Sequence, residues 1–150
     1  MTAITDQDFT VIDRHEEAEA AQDVEGVVAT FGPDAVLEPK PTGREFIGPA
    51  EIRVFYQDLF GAFPDLASRL VHRYRDGAVV IDELVFSGTH AGPFMGIPAT
   101  DRPIEVAASV VYEVRDGQLI REAAYWDVAT MLVQMGILPP PGESAGEEQR

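Results

Sequence analysis

The sequence predicts an α+β domain, a cone-shaped curved antiparallel sheet with N-terminal helices closing a central pocket. Three observations point there. Helical patterning dominates the chain up to residue 63, and four strand-like runs then follow between Leu66 and Asp127. Asp76-Gly77 and Asp116-Gly117 separate successive runs, and Asp-Gly favours a two-residue hairpin turn. The runs 78–90 and 104–114 exceed the usual five or six residues of a strand. Helices followed by a strand meander pack on one face of a sheet. Long strands that bend can wrap into a cone enclosing a small-molecule pocket.

The elements follow in order. Residues 6–31 read as helical, with Phe9, Ile12 and Val28 apolar and Ala18, Ala20 and Ala21 between them; Asp23 and Gly26 mark a break. Asp34 to Glu38 reads as a short strand ended by Pro39 and Pro41. Residues 49–63 form a helix opened by Pro49, with Ile52, Phe55, Tyr56, Leu59, Phe60 and Phe63 on one wide apolar face, and Pro64 ends it. The four runs Leu66–Tyr74, Ala78–His90, Ile104–Val114 and Leu119–Asp127 form the meander, and Thr130–Met135 a short helix ending at Gly136. We expect one domain over residues 1–138 and a disordered acidic, Pro-rich tail over 139–150.

Composition narrows the function classes. With 150 residues, 45% of them hydrophobic, the chain suits a single domain with a true core. There is no cysteine, which removes disulfides, thiolate catalysis and cysteine metal sites and fits a cytoplasmic protein. A net charge of −15 repels phosphate backbones and anionic membranes, so neither nucleic acid nor membrane is an expected partner. No run approaches the ~20 apolar residues of a membrane helix, and Met1–Thr10 lacks the pattern of a secretory signal.

Gly88 to Arg102 packs three Gly, two Pro and His90 into one loop, and such punctuation marks a built feature. Its run Gly88-Thr89-His90-Ala91-Gly92-Pro93-Phe94-Met95-Gly96-Ile97-Pro98-Ala99-Thr100-Asp101-Arg102 resembles the "G-T-H-x-G-x-F-x-G-x-P-A-T-G-R" of the SnoaL-like polyketide cyclase (ester cyclase) family, with Asp101 where Gly is usual. Gly48 to Tyr56 is similar to that family's "G-x-x-x-I-x-x-F-Y", Phe63-Pro64-Asp65 to its "F-P-D", Asp116-Gly117-Gln118-Leu119 to "D-G-K-I", and Asp127 to Gly136 to "D-x-x-x-L-L-x-Q-L-G". The resemblance spans roughly residues 8–137. It implies the fold of the nuclear transport factor 2-like superfamily and a homodimer or higher homo-oligomer formed through the outer sheet face. It also implies cofactor-independent acid–base chemistry on a polyketide-like substrate.

Asp127 is the first catalytic candidate. It follows Tyr125 and Trp126, and a carboxylate in an apolar pocket becomes a usable acid or base. By resemblance it aligns with the aspartate that family cyclases use in aldol ring closure. The competing reading is a helix N-cap. His90 is the second candidate, as a group that polarises a carbonyl or orients Asp127; otherwise it ties its loop to the sheet. Phe94, Met95, Tyr125, Trp126 and Tyr56 are candidate pocket walls, and Glu38 and His72 candidate polar groups of the pocket. His15, amid Glu16, Glu17 and Glu19, reads as a solvated helix face, with a place at the mouth of the pocket as the alternative. No His and carboxylate set shows a ligand spacing such as H-E-x-x-H, so no metal is expected.

Two functions follow from these residues. One is a cofactor-independent cyclase or isomerase acting on a hydrophobic carbonyl compound; the other is a non-catalytic binding or assembly module on the same fold. Convergence of Asp127 and His90 in an enclosed cavity favours the first, and Asp127 as a surface cap favours the second.

Overall fold

The structure is a computed structural model that describes residues 9–143 of the chain. The last part of the expected tail, 144–150, lies outside the described residues, as does the N-terminal stretch 1–8.

The helical start divides where Asp23 predicts. Helix α1 spans Thr10–Ala20 and α2 Val24–Val28, and the Asp23 carboxylate caps α2 by accepting from the Gly26 N–H at 3.0 Å. Strand β1 (Phe31–Pro39) begins earlier than its apolar core suggests, and a single 3-10 turn (Lys40–Thr42) leads to a short β2 (Phe46–Ile47). Helix α3 (Gly48–Ala62) carries Pro49 in its first turn and buries Ile52, Tyr56 and Phe60 along one stripe. Then come β3 (Ala67–Asp76), β4 (Val79–Thr89), β5 (Pro103–Arg115), β6 (Gln118–Trp126) and α4 (Val128–Gln134).

All strands form one six-stranded sheet in the order β2-β1-β6-β5-β4-β3, curved but with free edges. The β3–β6 meander is antiparallel, as expected. The fully antiparallel sheet is not: β1 lies parallel to β6, with Leu37 opposite Glu122 and Glu38 opposite Ala123. The chain leaves β1 through α3 and the whole meander before returning beside it, a pairing no local pattern encodes. Asp116 and Gly117 both take positive φ (52° and 71°), as a type I′ turn demands. The other hairpin turns one residue later than expected, at Gly77-Ala78, so Asp76 pairs with Val79.

Helices α1–α3 cover the concave face. β5 alternates strictly, burying Ile104, Val106, Ala108, Val110, Tyr112 and Val114. One apolar cluster fills the space under α1–α3; a second, with Phe63, Ile104, Val106, Met131 and Met135, lies under α4.

The 88–102 loop is as constructed as its composition suggests. His90 N–H donates to the Arg102 carbonyl and Asp101 N–H to the His90 carbonyl, each at 2.9 Å, which closes the loop. Phe94 and Ile97 exchange both backbone hydrogen bonds across Met95 and Gly96, which take φ of 51° and 75°. Ala91 and Gly92 donate to the Ala62 carbonyl, fastening the loop to the end of α3. Among the described residues no helix is long and apolar enough to cross a membrane.

Candidate functional site

The concave face encloses a cavity of about 80 Å³, several times what one water molecule needs. Its wall is apolar and strongly aromatic, with Phe55, Leu59, Phe63, Phe86, Phe94 and Trp126 among its residues. The polar side chains on it are Glu19, Tyr56, Tyr112 and Glu122, with the indole of Trp126 as a further polar handle. Strand alternation explains the floor. Glu122, Ala124 and Trp126 share one face of β6, and the small Ala124 leaves room between its neighbours.

Glu19, Tyr56 and Glu122 form a network around His15, and the Tyr112 ring lies edge-on to the imidazole at 5.7 Å. Helix spacing puts Val11, Ile12, His15 and Ala18 on the buried stripe of α1, and His15 is 0% exposed. The Thr30 hydroxyl donates to the Val27 carbonyl at 2.6 Å, so its oxygen is free to accept from His15 Nδ1 at 3.0 Å. That assigns the proton to Nδ1 and turns Nε2 toward the cavity end. Nε2 lies 3.3 Å from Glu19 Oε1, 3.3 Å from Glu122 Oε2 and 3.3 Å from the Tyr56 hydroxyl. The Tyr56 O–H reaches Glu19 at 2.9 Å and Glu122 at 3.2 Å.

The electrostatics follow from burial and charge. Desolvation works against a charged His15, but Glu122 and then Glu19 outweigh it and raise the imidazole pKa to about 10. Burial, Glu122 and Glu19 together push the Tyr56 phenol well above its usual value, so Tyr56 stays a donor. The site thus holds a buried imidazolium, a neutral phenol and two carboxylates, all exchanging hydrogen bonds. His15, Glu19 and Glu122 each also place one potential ligand atom within 4.8 Å of the others, a spacing that serves a metal ion only when His15 Nε2 gives up its proton. Linear spacing hides it, since Glu122 joins only through the fold.

A second network anchors α1 over the sheet. Arg73 on β3 grips the buried Asp82 of β4 through two hydrogen bonds (2.6 and 2.8 Å) and reaches Glu16 at 2.9 Å and Asp13 at 3.2 Å. Desolvation and a hydrogen bond shared with Asp82 raise the Glu16 pKa to about 8.

The residues singled out from sequence divide sharply. Tyr56, Phe94 and Trp126 line the cavity. Met95 is exposed and borders an outer groove that shares Phe55 and Phe94 with the cavity. Tyr125 points to the opposite sheet face from Trp126, is 46% exposed, and lies under Lys40. Glu38 is also turned away from the cavity. Its desolvation is outweighed by Lys40 and Arg121, which pair with it and hold its carboxyl below the usual range. His72 is exposed on β3, edge-on to Tyr74 at 4.5 Å.

Asp127 lies at the surface and caps α4. It accepts from the Thr130 N–H at 3.0 Å and the Thr130 hydroxyl at 2.6 Å, and those hydrogen bonds lower its pKa. His90 is fully buried beside Phe63 and pins its loop: the Thr100 N–H approaches Nδ1 at 3.3 Å and the Thr100 hydroxyl at 2.9 Å. Burial lowers its pKa. Neither Asp127 nor His90 lines the cavity. The expectation of a solvated His15 is overturned, because Val11 and Ile12 on one side and Ala18 on the other place it mid-stripe on α1.

The comparisons with known proteins agree on the fold. The family model for SnoaL-like polyketide cyclase matches residues 9–135. A SnoaL-like protein of Jannaschia sp. CCS1, a candidate polyketide cyclase, superposes with a TM-score of 0.80 at 21% identity, covering 93% of this chain and 98% of its own. IdmH of Streptomyces antibioticus, also a candidate polyketide cyclase, gives a TM-score of 0.72 at 29% identity, covering 87% and 99%. A protein of Catenulispora acidiphila DSM 44928 with a ketosteroid isomerase-like fold, solved in complex with trimethylamine, gives 0.73 at 17% identity, covering 85% and 93%. Comparison with curated proteins found no match. With the family model spanning most of its length and the same open, curved sheet under its helices, the chain belongs to the SnoaL-like polyketide cyclase family.

Proposed function

We propose that this protein catalyses a cyclase-type proton-transfer reaction on a hydrophobic, carbonyl-bearing small molecule held in the cavity. The observation that carries this reading is the placement of Glu19, Glu122 and Tyr56, backed by His15, on the wall of an otherwise apolar cavity. Chemistry next to a carbonyl needs a base for a carbon-bound proton and a donor for the oxygen that gains charge. Glu122 is the base in this reading. It takes the proton, the C–H electron pair becomes the C=C bond of the enolate, and the carbonyl π pair moves onto the oxygen. The Tyr56 O–H, supported by the His15 imidazolium, donates to that oxygen. In ring closure the enolate carbon attacks a second carbonyl, and the resulting alkoxide receives the proton from Glu122, so no proton is gained or lost overall.

The acid–base role expected of Asp127 passes to Glu122 here, because Asp127 is solvated and occupied by Thr130. His90 becomes a structural pin of the 88–102 loop rather than a polarising group. Self-association through the outer sheet face belongs to the same reading; exposed Tyr74 and Ile81, directly paired across β3 and β4, support it.

The test is hydrogen–deuterium exchange at the carbons flanking the carbonyl of 1-decalone, followed by NMR in D₂O. The reading expects exchange faster than buffer alone and lost when 1-decalone is displaced by excess decalin. Binding without accelerated exchange would instead identify a non-catalytic binding module.

A further inference from the structure

One buried donor beside the cavity has no hydrogen-bond partner. Trp126 lines the cavity, and its indole Nε1–H is sealed from solvent with no hydrogen-bond partner. A buried donor left unpaired costs free energy, and such groups call for a physical account. The surroundings supply no acceptor: Trp126 packs near Phe94, with ring centroids 6.2 Å apart, and belongs to the apolar cluster under α4 with Met131 and Ile104. Phenylalanine would fill an apolar wall without this cost.

The position of that donor is fixed by the strand. Trp126 and Glu122 lie on the same face of β6, four residues apart, with Ala124 between them. At ~3.3 Å per residue their Cα atoms are separated by about 13 Å. Two stretches of the wall are thus distinct: at one, carboxylates and a phenol surround a buried imidazolium; at the other, the indole lies among apolar neighbours with its N–H unpaired.

We infer that Trp126 Nε1–H is the binding handle for a second oxygen of the ligand, so that the cavity selects molecules carrying acceptors at both ends of an apolar frame. This rests on the cavity being the substrate site. The acceptor at the Glu122 end belongs to the reacting carbonyl; the acceptor at the Trp126 end fixes how far the frame enters and which carbon meets Glu122. A ligand oxygen at the far end restores the missing hydrogen bond, whereas a hydrocarbon leaves it unmade. Discrimination of this kind is strong because the penalty falls on the ligand that lacks the acceptor.

Trp126 is the only tryptophan of the chain, so its indole N–H gives a single resonance to follow. The experiment titrates ¹⁵N-labelled protein with decalin, 1-decalone and decalin-1,5-dione, three ligands of the same frame with none, one and two carbonyls. The expected result is a downfield move of the indole proton with the dione, little move with decalin, and at least about fivefold tighter binding of the dione than of decalin. Trp126→Phe, which keeps an apolar ring but no donor, should erase the preference for the dione over decalin. Equal affinities and equal indole shifts for dione and decalin would overturn the inference while leaving the cavity as a ligand site. Failure of all three ligands to perturb the indole resonance would overturn the inference and the cavity reading together.

Discussion

Raising the pH should unload the protein's stability through one buried imidazole. His15 is fully buried with its pKa raised to about 10, against 6.5 for the free group. Burial alone would lower that value; the Glu122 and Glu19 carboxylates, 3.3 Å from Nε2, reverse it. A group raised on folding contributes stability that is complete below its unfolded pKa and is lost as pH rises through its folded pKa. The window is therefore pH 6.5 to about 10, within which the folded chain holds one proton more than the unfolded chain. At ~1.36 kcal/mol per pH unit, the loss between pH 7 and pH 10 is on the order of 3–4 kcal/mol. Glu16, raised to about 8, steepens the lower part of the same window, and Glu16→Gln removes its share. Urea unfolding followed by far-UV circular dichroism at pH 7, 8, 9 and 10 measures the slope directly. Glu122→Gln removes the stronger of the two carboxylate interactions that hold the proton and should flatten the curve. A wild-type stability that is level across this range, or a slope unchanged in Glu122→Gln, would refute the buried imidazolium.

Three other perturbations test separate parts of the structure. Asp127→Ala should cost about 1 kcal/mol through loss of the α4 cap, seen as a lower thermal midpoint, with no change in 1-decalone affinity. In Gly92→Ala the new Cβ would lie 2.5 Å from the Gly61 carbonyl oxygen, so one backbone must shift. Thermal unfolding should show a loss of about 1–3 kcal/mol, and amide exchange should accelerate in the 88–102 loop. Trp126→Phe should lose the preference for the doubly oxygenated ligand over decalin, read as the ratio of their affinities.

The fold was legible because its signals are local. The helix break at Asp23, the apolar face of α3, the Asp116-Gly117 turn and the strict alternation of β5 each lie within a few residues. The parallel β1–β6 pairing was not, because it joins strands separated by the entire meander. The site failed in the same way. Position beside His90 and Asp127 singled out Phe94, Met95, Tyr125 and Trp126, but only Phe94 and Trp126 reach the wall, because strand alternation turns Tyr125 outward and Met95 lies at the exposed turn of the loop. Asp127 stands out in sequence because it follows Tyr125 and Trp126, yet its competing reading as the cap of the next helix is the one the hydrogen bonds to Thr130 support. Glu122 had a readable signal that went unused, the same strand parity as Trp126 with Ala124 between. His15 had one too, since Val11, Ile12 and Ala18 surround it at helical spacing; the neighbouring glutamates concealed the stripe.

The central claim is that Glu122 of the buried cluster, and not the surface carboxylate Asp127, moves the substrate proton. The deciding measurement is the rate of deuterium incorporation into 1-decalone by Glu122→Gln and Asp127→Asn beside the wild type. The account predicts that Glu122→Gln loses roughly 10²–10⁴-fold of the protein-catalysed rate while Asp127→Asn stays within about twofold. Loss of exchange in Asp127→Asn with the rate retained in Glu122→Gln would contradict it.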